Sequence, residues 1–205
     1  MEALLAVLLF AISSSITPGP NNIMVMTSGV NFGVRKSIPL LLGICFGFVV
    51  MLITVGFGFG KLFEVFPALQ LWIKFLGTVY LIYLSFLIAC TRSDLQSDAQ
   101  QRPLSFLNGA LFQWVNAKAW VVAMGAIVAF TNSGVDYVYE NIMVAAVFLA
   151  VGLPCVGVWL VFGVVLKKYL SNSIRQRYFN YTMAGLLLLS VAPVCLDIMT
   201  QLTSE

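Results

Sequence analysis

The stretch "SITPGPNNIM", Ser15 to Met24, interrupts an apolar N-terminal segment with two prolines, a glycine and two asparagines. Proline lacks a backbone donor, and the residue before it avoids the helical region, so the α-helix is predicted to break between Thr17 and Asn21. In hydrocarbon, non-helical backbone survives only where protein or a water-filled cavity covers it. The stretch therefore predicts a buried polar site within a membrane helix, and a simple proline kink is the alternative.

The composition indicates a membrane protein. Of the 205 residues, 60% are hydrophobic and 9% are charged, and the mean hydropathy is +0.98; soluble domains carry roughly 25% charged residues. The apolar residues form long runs, near the roughly 20 residues that cross a bilayer as a helix, rather than the alternating pattern of a membrane barrel. The runs cover 3–28, 37–60, 67–90, 104–130, 142–166 and 178–200. They predict an all-α integral membrane protein with six transmembrane helices.

Several function classes are disfavoured. The longest polar connection, 91–103, is too short for a catalytic or nucleotide-binding domain, and the chain has no phosphate-binding loop motif. It has no histidine, and its four cysteines show no C-x-x-C spacing, so we expect no metal or other cofactor and no nucleic-acid partner. "LLAVLLFAISS" resembles a signal peptide, but Glu2 gives its start the wrong charge, so we interpret it as the first transmembrane helix.

Basic residues predict the topology because they are retained on the cytoplasmic side. Eight of them lie in alternate connections: Arg35, Lys36, Arg92, Arg102, Lys167, Lys168, Arg175 and Arg177. Both termini should therefore face away from the cytoplasm. The chain is then one transmembrane domain, 1–205, with a three-helix half at 1–90, a cytoplasmic loop at 91–103 and a second half at 104–205. Because three is odd, the two halves are expected to enter the membrane in opposite orientations, as two inverted repeats.

The fourth run adds a second polar cluster, "QWVNAKAW", near its middle. A lysine at the centre of a membrane helix costs roughly 2.5 to 3.5 kcal/mol on insertion scales, so Lys118 is expected to face the protein interior, with snorkelling to an interface as the alternative. In transporters, the N-terminus of a half-helix binds anionic ligand groups. The candidate substrate-binding residues are Thr17, Pro18, Gly19, Pro20, Asn21, Asn22, Gln113, Asn116 and Lys118.

Other features are less specific. Gly43, Gly47 and the glycines of "GFGFG" are predicted to permit close helix packing, and such small-residue faces also permit a homodimer. No acid lies near the centre of any run, so the residue that would couple transport to an ion is unassigned. Asp197, near the end of the last run, is one option for a proton or cation site.

The sequence resembles the LysE/RhtB family of bacterial amino-acid exporters. "TPGPNN" in the first run, "GVNFGVRKSIPLLLGICFG" leading into the second and "LFQWVNAKAW" in the fourth carry the resemblance, which covers nearly the full length. It implies export of amino acids or close derivatives across the bacterial inner membrane, driven by an ion gradient, with H+ as the expected coupling ion. The family pattern N-P-K-A has Ala117 in place of proline here, which leaves open whether helix four is broken as helix one is.

Two other classes remain. A membrane-embedded enzyme would need a nucleophile, a metal site or paired acids within the membrane, and the sequence offers neither histidine nor paired central acids. A non-transporting membrane subunit or scaffold of a larger complex is the main alternative to a transporter.

Overall fold

The computed structural model describes residues 2–59, 65, 67–91, 102–132, 134–170, 172–190 and 192. All regular elements in these residues are helical, which confirms the all-α prediction. The helices are α1 (Glu2–Ile16), α2 (Pro20–Phe32), α3 (Val34–Thr54), α4 (Pro67–Ala89), α5 (Phe106–Gln113), α6 (Ala117–Phe130), α7 (Tyr137–Lys167) and α8 (Ser173–Leu189).

The helices lie in the six predicted runs, but several boundaries differ. α3 begins at Val34, α7 at Tyr137 and α8 at Ser173, each three to five residues before the run that predicted it. Hydropathy does not detect these first turns because they contain polar and charged residues. At α8 a side-chain cap also stabilises the start, since Asn172 Oδ1 accepts from the Ile174 amide at 2.8 Å. Most of the last predicted run beyond Ser190 lies outside the described residues.

The second predicted run does not stay α-helical to its end. α3 ends at Thr54 and continues as a π-helical turn, Val55–Phe59, in which Gly58 has φ of 95°. That left-handed backbone favours glycine, so Gly58 permits a change of direction. Gly56 fills the predicted packing role, because a Cβ there would lie 2.0 Å from the Asn141 side-chain nitrogen.

By length and composition, the described residues contain two helices that could each cross a membrane, Val34–Gly58 and Tyr137–Lys167. The pairs α1 with α2 and α5 with α6 also qualify if each is one bent span, which raises the number to four. In α4, the described apolar part is shorter, Phe75–Ala89.

Glycines bring α3 and α5 into backbone contact. A Cβ on Gly43 would lie 2.0 Å from the carbonyl oxygen of Phe106, and a Cβ on Gly47 would lie 2.5 Å from Cα of Ala110. Real side chains cannot occupy such positions, so these glycines allow the close approach that the sequence predicted.

Glycines also bring α2 and α7 into backbone contact. A Cβ on Gly29 would lie 2.6 Å from the carbonyl oxygen of Leu160, and a Cβ on Gly163 would lie 2.2 Å from the carbonyl oxygen of Met26. The two contacts are reciprocal, since each helix contributes one glycine and one carbonyl.

Two apolar clusters form the core. One joins α2, α3, α4, α5, α7 and α8 around Met24, Leu84 and Phe112. The other joins α1, α3, α6 and α7 around Met51 and Ala123. Each bent helix pair contributes one helix to each cluster, so its break lies where the two clusters adjoin.

Candidate functional site

The first break separates α1 from α2, whose axes differ by 55°. α1 ends at Ile16, and Gly19 precedes α2 with extended backbone, φ −175° and ψ −179°. Pro20 is the first residue of α2, a position where its missing N–H costs nothing. No side chain caps this helix start, so its amide groups and partial positive charge are left for another acceptor.

Side chains satisfy the carbonyl end of α1. The buried Asn22 donates from Nδ2 to the carbonyl oxygens of Ser15 and Thr17 at 3.1 and 2.8 Å. Trp159 of α7 donates from Nε1 to the carbonyl oxygen of Ile16 at 3.0 Å. Asn22 therefore stabilises the helix end before the break and does not cap the helix that follows it.

The second break separates α5 from α6 and bends the pair by 62°. After Gln113 the chain makes a turn, and Asn116 Oδ1 accepts from the Lys118 amide at 3.1 Å, which caps α6. Asparagine is among the strongest N-cap residues, so this cap stabilises the start of α6 without a proline at position 117. The fourth predicted run is thus broken, into α5 and α6, although residue 117 is alanine and not proline.

The two breaks contact each other through side chains. Asn21 and Gln113 form a reciprocal amide pair, with both N···O distances 2.9 Å. Gln113 also donates to the carbonyl oxygen of Gly109 at 2.9 Å, which fixes its orientation. Lys118 Nζ donates to the carbonyl oxygen of Thr17 at 2.7 Å.

The hydropathy of the fourth run suggested a continuous helix around Lys118. In the structure Lys118 lies instead at the start of a half-helix, α6. It is half-buried, and a Cβ on Gly19 would lie only 3.2 Å from its Nζ. The broken backbone supplies an acceptor for the amine, which offsets part of the cost of a lysine in apolar surroundings. Any side chain at position 19 would crowd the amine.

A cavity of about 60 Å³ lies where the breaks meet. Its polar wall contains six of the nine candidate residues: Gly19, Pro20, Asn21, Asn22, Asn116 and Lys118. Of the other three, Gln113 pairs with Asn21, Thr17 contributes its carbonyl oxygen to Lys118, and Pro18 is exposed.

The charges around the cavity are of one sign. Lys118 and the N-termini of α2 and α6 contribute positive potential, and no acidic side chain is among the lining residues that the structure describes. Within the described ranges, no three His, Cys, Asp or Glu side chains converge as metal ligands. The arrangement is suited to an anionic group such as a carboxylate.

The sequence did not predict the opposite wall. It comes from α3 and α7, with Ile44, Cys45 and Phe48 on one helix and Phe148, Gly152 and Val156 on the other. These residues resemble ordinary core residues, so no sequence signal identifies them. Ser14 and Ser15 also line the cavity, and the serine cluster just before T-P-G-P was the one available signal.

The comparisons with known proteins identify the family. The sequence profile described as LysE type translocator matches residues 12–197. The cysteine/O-acetylserine efflux protein of Escherichia coli O139:H28 (strain E24377A / ETEC) is 28% identical over 183 residues, 87% of this chain and 90% of that protein. The protein with the same description in Escherichia coli (strain K12) is 32% identical over 122 residues, 59% of this chain and 62% of that protein. No solved structure matches. The chain belongs to the LysE type translocator family and is a transporter rather than an enzyme.

Proposed function

We propose that this protein exports small amino acids or their close derivatives across the cytoplasmic membrane, and that the cavity between the two breaks is the substrate site. The observation that carries the proposal is the convergence of Lys118 and two half-helix N-termini on a cavity with no acidic residue among its described lining. A zwitterionic substrate brings a carboxylate to such a site. Hydrogen bonds to a charged carboxylate are stronger than those between neutral groups.

Lys118 gives the site its anion-binding group. Its Nζ donates to the carbonyl oxygen of Thr17. A substrate carboxylate that enters beside Gly19 replaces or supplements this neutral acceptor with a charged one, while the start of α2, which has no side-chain cap, offers its amides. Because glycine has no side chain, position 19 leaves this approach open.

The rest of the cavity favours a small, uncharged side chain. Phe48 and Phe148 contribute apolar surface, and the described lining contains no acid that could pair with a basic side chain. Ser14, Ser15 and Asn116 supply oxygen acceptors for the substrate amino group. Cysteine and O-acetylserine, the compounds in the names of the relatives, satisfy both requirements.

The proposal includes six spans arranged as two inverted sets of three, with both termini outside the cytoplasm. It is supported by the eight basic residues in alternate connections and by the meeting of one broken helix from each half. We assign the driving force to the proton gradient. Among the described cavity residues only Lys118 and Cys45 titrate, so Lys118 is the first candidate for a proton carrier.

The test is export of O-acetyl-L-serine and L-cysteine from cells that express the protein. We expect Lys118→Ala to reduce export at least 100-fold at matched membrane levels, because the anion-binding group is lost. Lys36→Ala, which changes an exposed lysine at the start of α3, is the control and should keep normal export.

Normal export by Lys118→Ala would contradict the site. No export of either compound by the parent protein, together with a tightly bound partner in a pull-down, would favour the non-transporting subunit instead.

A further inference from the structure

A second and larger cavity lies at the end of the molecule where the basic residues cluster. Its volume is about 230 Å³, and the second half of α2, the C-terminal end of α4 and the residues before α5 line it. Polar groups occur along this wall: Thr27, Ser28, Asn31, Thr91 and Arg102. None of these residues belongs to the cavity between the breaks.

Thr27 is the unusual member of this wall. It is only 2% exposed, and its Oγ1 has no hydrogen-bond partner among the described residues. A helical threonine normally donates to the carbonyl four residues earlier, as Thr54 and Thr182 do at 2.7 and 2.9 Å. A buried hydroxyl without a partner is destabilising, so its presence at a cavity points to a ligand that completes it.

An amide network holds the wall beside Thr27 in place. Asn31 and Asn180 form a reciprocal pair at 2.9 and 3.0 Å, and Gln176 donates to Asn31 Oδ1 at 2.9 Å. Asn180 also donates to the carbonyl oxygen of Thr91 at 3.0 Å. These bonds tie α2 to α8 and to the end of α4, so the cavity has a preorganised polar side.

The charge of this cavity also favours an anionic group. Arg102 lines it, and the part of its lining that the structure describes contains no acidic side chain. A guanidinium can bind a carboxylate through two parallel hydrogen bonds, which a surface lysine cannot do.

We infer that this second cavity is a loading site, in which Arg102 binds the substrate carboxylate and the Thr27 hydroxyl hydrogen-bonds the substrate before it moves to the cavity between the breaks. The inference rests on the proposed export function. The two sites share α2, since Asn22 lines the first and Thr27 the second, about 7.5 Å farther along the helix at 1.5 Å per residue. Met24, fully buried, lies between these two positions on α2.

The test is the concentration dependence of O-acetyl-L-serine transport by the purified protein in proteoliposomes. Thr27→Val keeps the side-chain shape and removes a hydroxyl that has no hydrogen-bond partner among the described residues, so folding should be unimpaired. We expect KM to rise about 5- to 10-fold with kcat changed less than twofold, because a binding interaction in the loading site is lost while the cavity between the breaks is unchanged. Thr182→Val, on the exposed face of α8, is the control and should leave KM unchanged.

Arg102→Gln provides a second variant, for which we expect a KM increase of at least 10-fold. Arg175→Gln is its control, because Arg175 is an exposed arginine at the same end of the molecule that does not line the cavity. Unchanged KM in both Thr27→Val and Arg102→Gln would overturn the loading site.

Binding to Lys118→Ala separates this inference from the proposed function. We expect the purified variant to bind O-acetyl-L-serine in a calorimetric titration although it does not transport, and to lose at least fivefold in affinity when Thr27→Val is added. If the parent protein transports and Lys118→Ala binds nothing, the loading site is wrong while the export function stands. If the parent protein neither transports nor binds this compound, both proposals fail for it.

Discussion

The two helix breaks reach similar bends by different means. The first has a proline on each side of Gly19 and no side-chain cap at the start of α2, whereas the second has no proline and is capped by Asn116. The bends are 55° and 62°. A capped turn is therefore as effective as two prolines at interrupting a membrane helix, provided that the neighbouring protein satisfies the backbone.

The two breaks also differ in the chemical groups that they can offer to a ligand. Because Asn116 already accepts from the Lys118 amide, the start of α6 has less free donor capacity than the start of α2. The second break instead contributes a side chain, since it directs Lys118 toward the first break. In this proposal the first break offers backbone amides and the second an amine, and the substrate carboxylate meets both.

The largest effect is expected at Gly19. Its backbone is extended, a conformation any residue adopts, so a substitution there tests space and not strain. A Cβ would lie 3.1 Å from Lys118 Cδ, and Gly19→Leu would place the rest of the side chain at the approach to the amine. We expect at least a 100-fold loss of export at matched membrane levels. Gly134→Leu, in open space, is the control; equal export by the two variants would remove Gly19 from the site.

Loss of the Asn116 cap should have a smaller effect on the second break. Asn116→Ala removes an N-cap worth about 1 kcal/mol, and we expect a lower Tm and roughly a 10-fold loss of export because Lys118 loses its fixed position. Asn116→Ser keeps a capping oxygen and should restore most of both. Transport assays and thermal unfolding in detergent measure the two effects.

Asn172 offers the matched control for that experiment. It caps α8 in the same way, through Oδ1 and the Ile174 amide, but it lies far from the breaks along the chain. Asn172→Ala should lower Tm by a similar amount and leave export unchanged. If it also reduced export 10-fold, the effect of Asn116→Ala would be general instability rather than a property of the site.

The amide pair that joins the breaks should show energetic coupling. We expect Asn21→Ala and Gln113→Ala each to destabilise the protein, since each removes the two hydrogen bonds that join the amides, and the double variant to cost less than their sum. A double-mutant cycle measured by thermal unfolding should give a coupling of about 1 to 2 kcal/mol. Strict additivity would show that the pair does not hold the breaks together.

The smallest effect is expected for Ala117→Pro, which makes the second break resemble the first. Ala117 is the exposed first residue of α6, and Asn116 before it has extended backbone, φ −89° and ψ 105°, close to the range that a residue before proline prefers. We expect folding and export to be retained, with a gain in stability of about 0.4 to 1 kcal/mol. Val121→Pro, inside the same helix, should instead prevent normal folding; failure of Ala117→Pro itself would mean that the turn differs from the one described.

Sequence reasoning worked where one residue type has one dominant physical effect. The apolar runs predicted the helices because only the helix satisfies its own backbone in lipid, and T-P-G-P predicted the first break because proline removes donors. The second break was left open, since an asparagine in an apolar run becomes a cap only if the chain turns there. Asn22 shows the same limit: its amide bonds the preceding helix, which local sequence does not specify.

The apolar wall of the cavity could not be predicted from the sequence for a related reason. Phe48 and Phe148 belong to an apolar contact within the core, and nothing in their periodicity separates a residue beside a cavity from one beside a neighbour. The same holds for Thr27, because only three-dimensional packing shows that its buried hydroxyl has no hydrogen-bond partner among the described residues.

The glycine contacts constrain how such a transporter can move. α2 lies against α7, and α3 against α5, at distances that admit no side chain, and a contact made by backbone atoms leaves little room for sliding. Each pair is therefore expected to travel as a rigid body. The points of flexure are then the short non-helical segments at Thr17–Gly19 and at 114–116, so the two breaks that we propose to bind the substrate would also act as the hinges that alternately open the site to either side of the membrane.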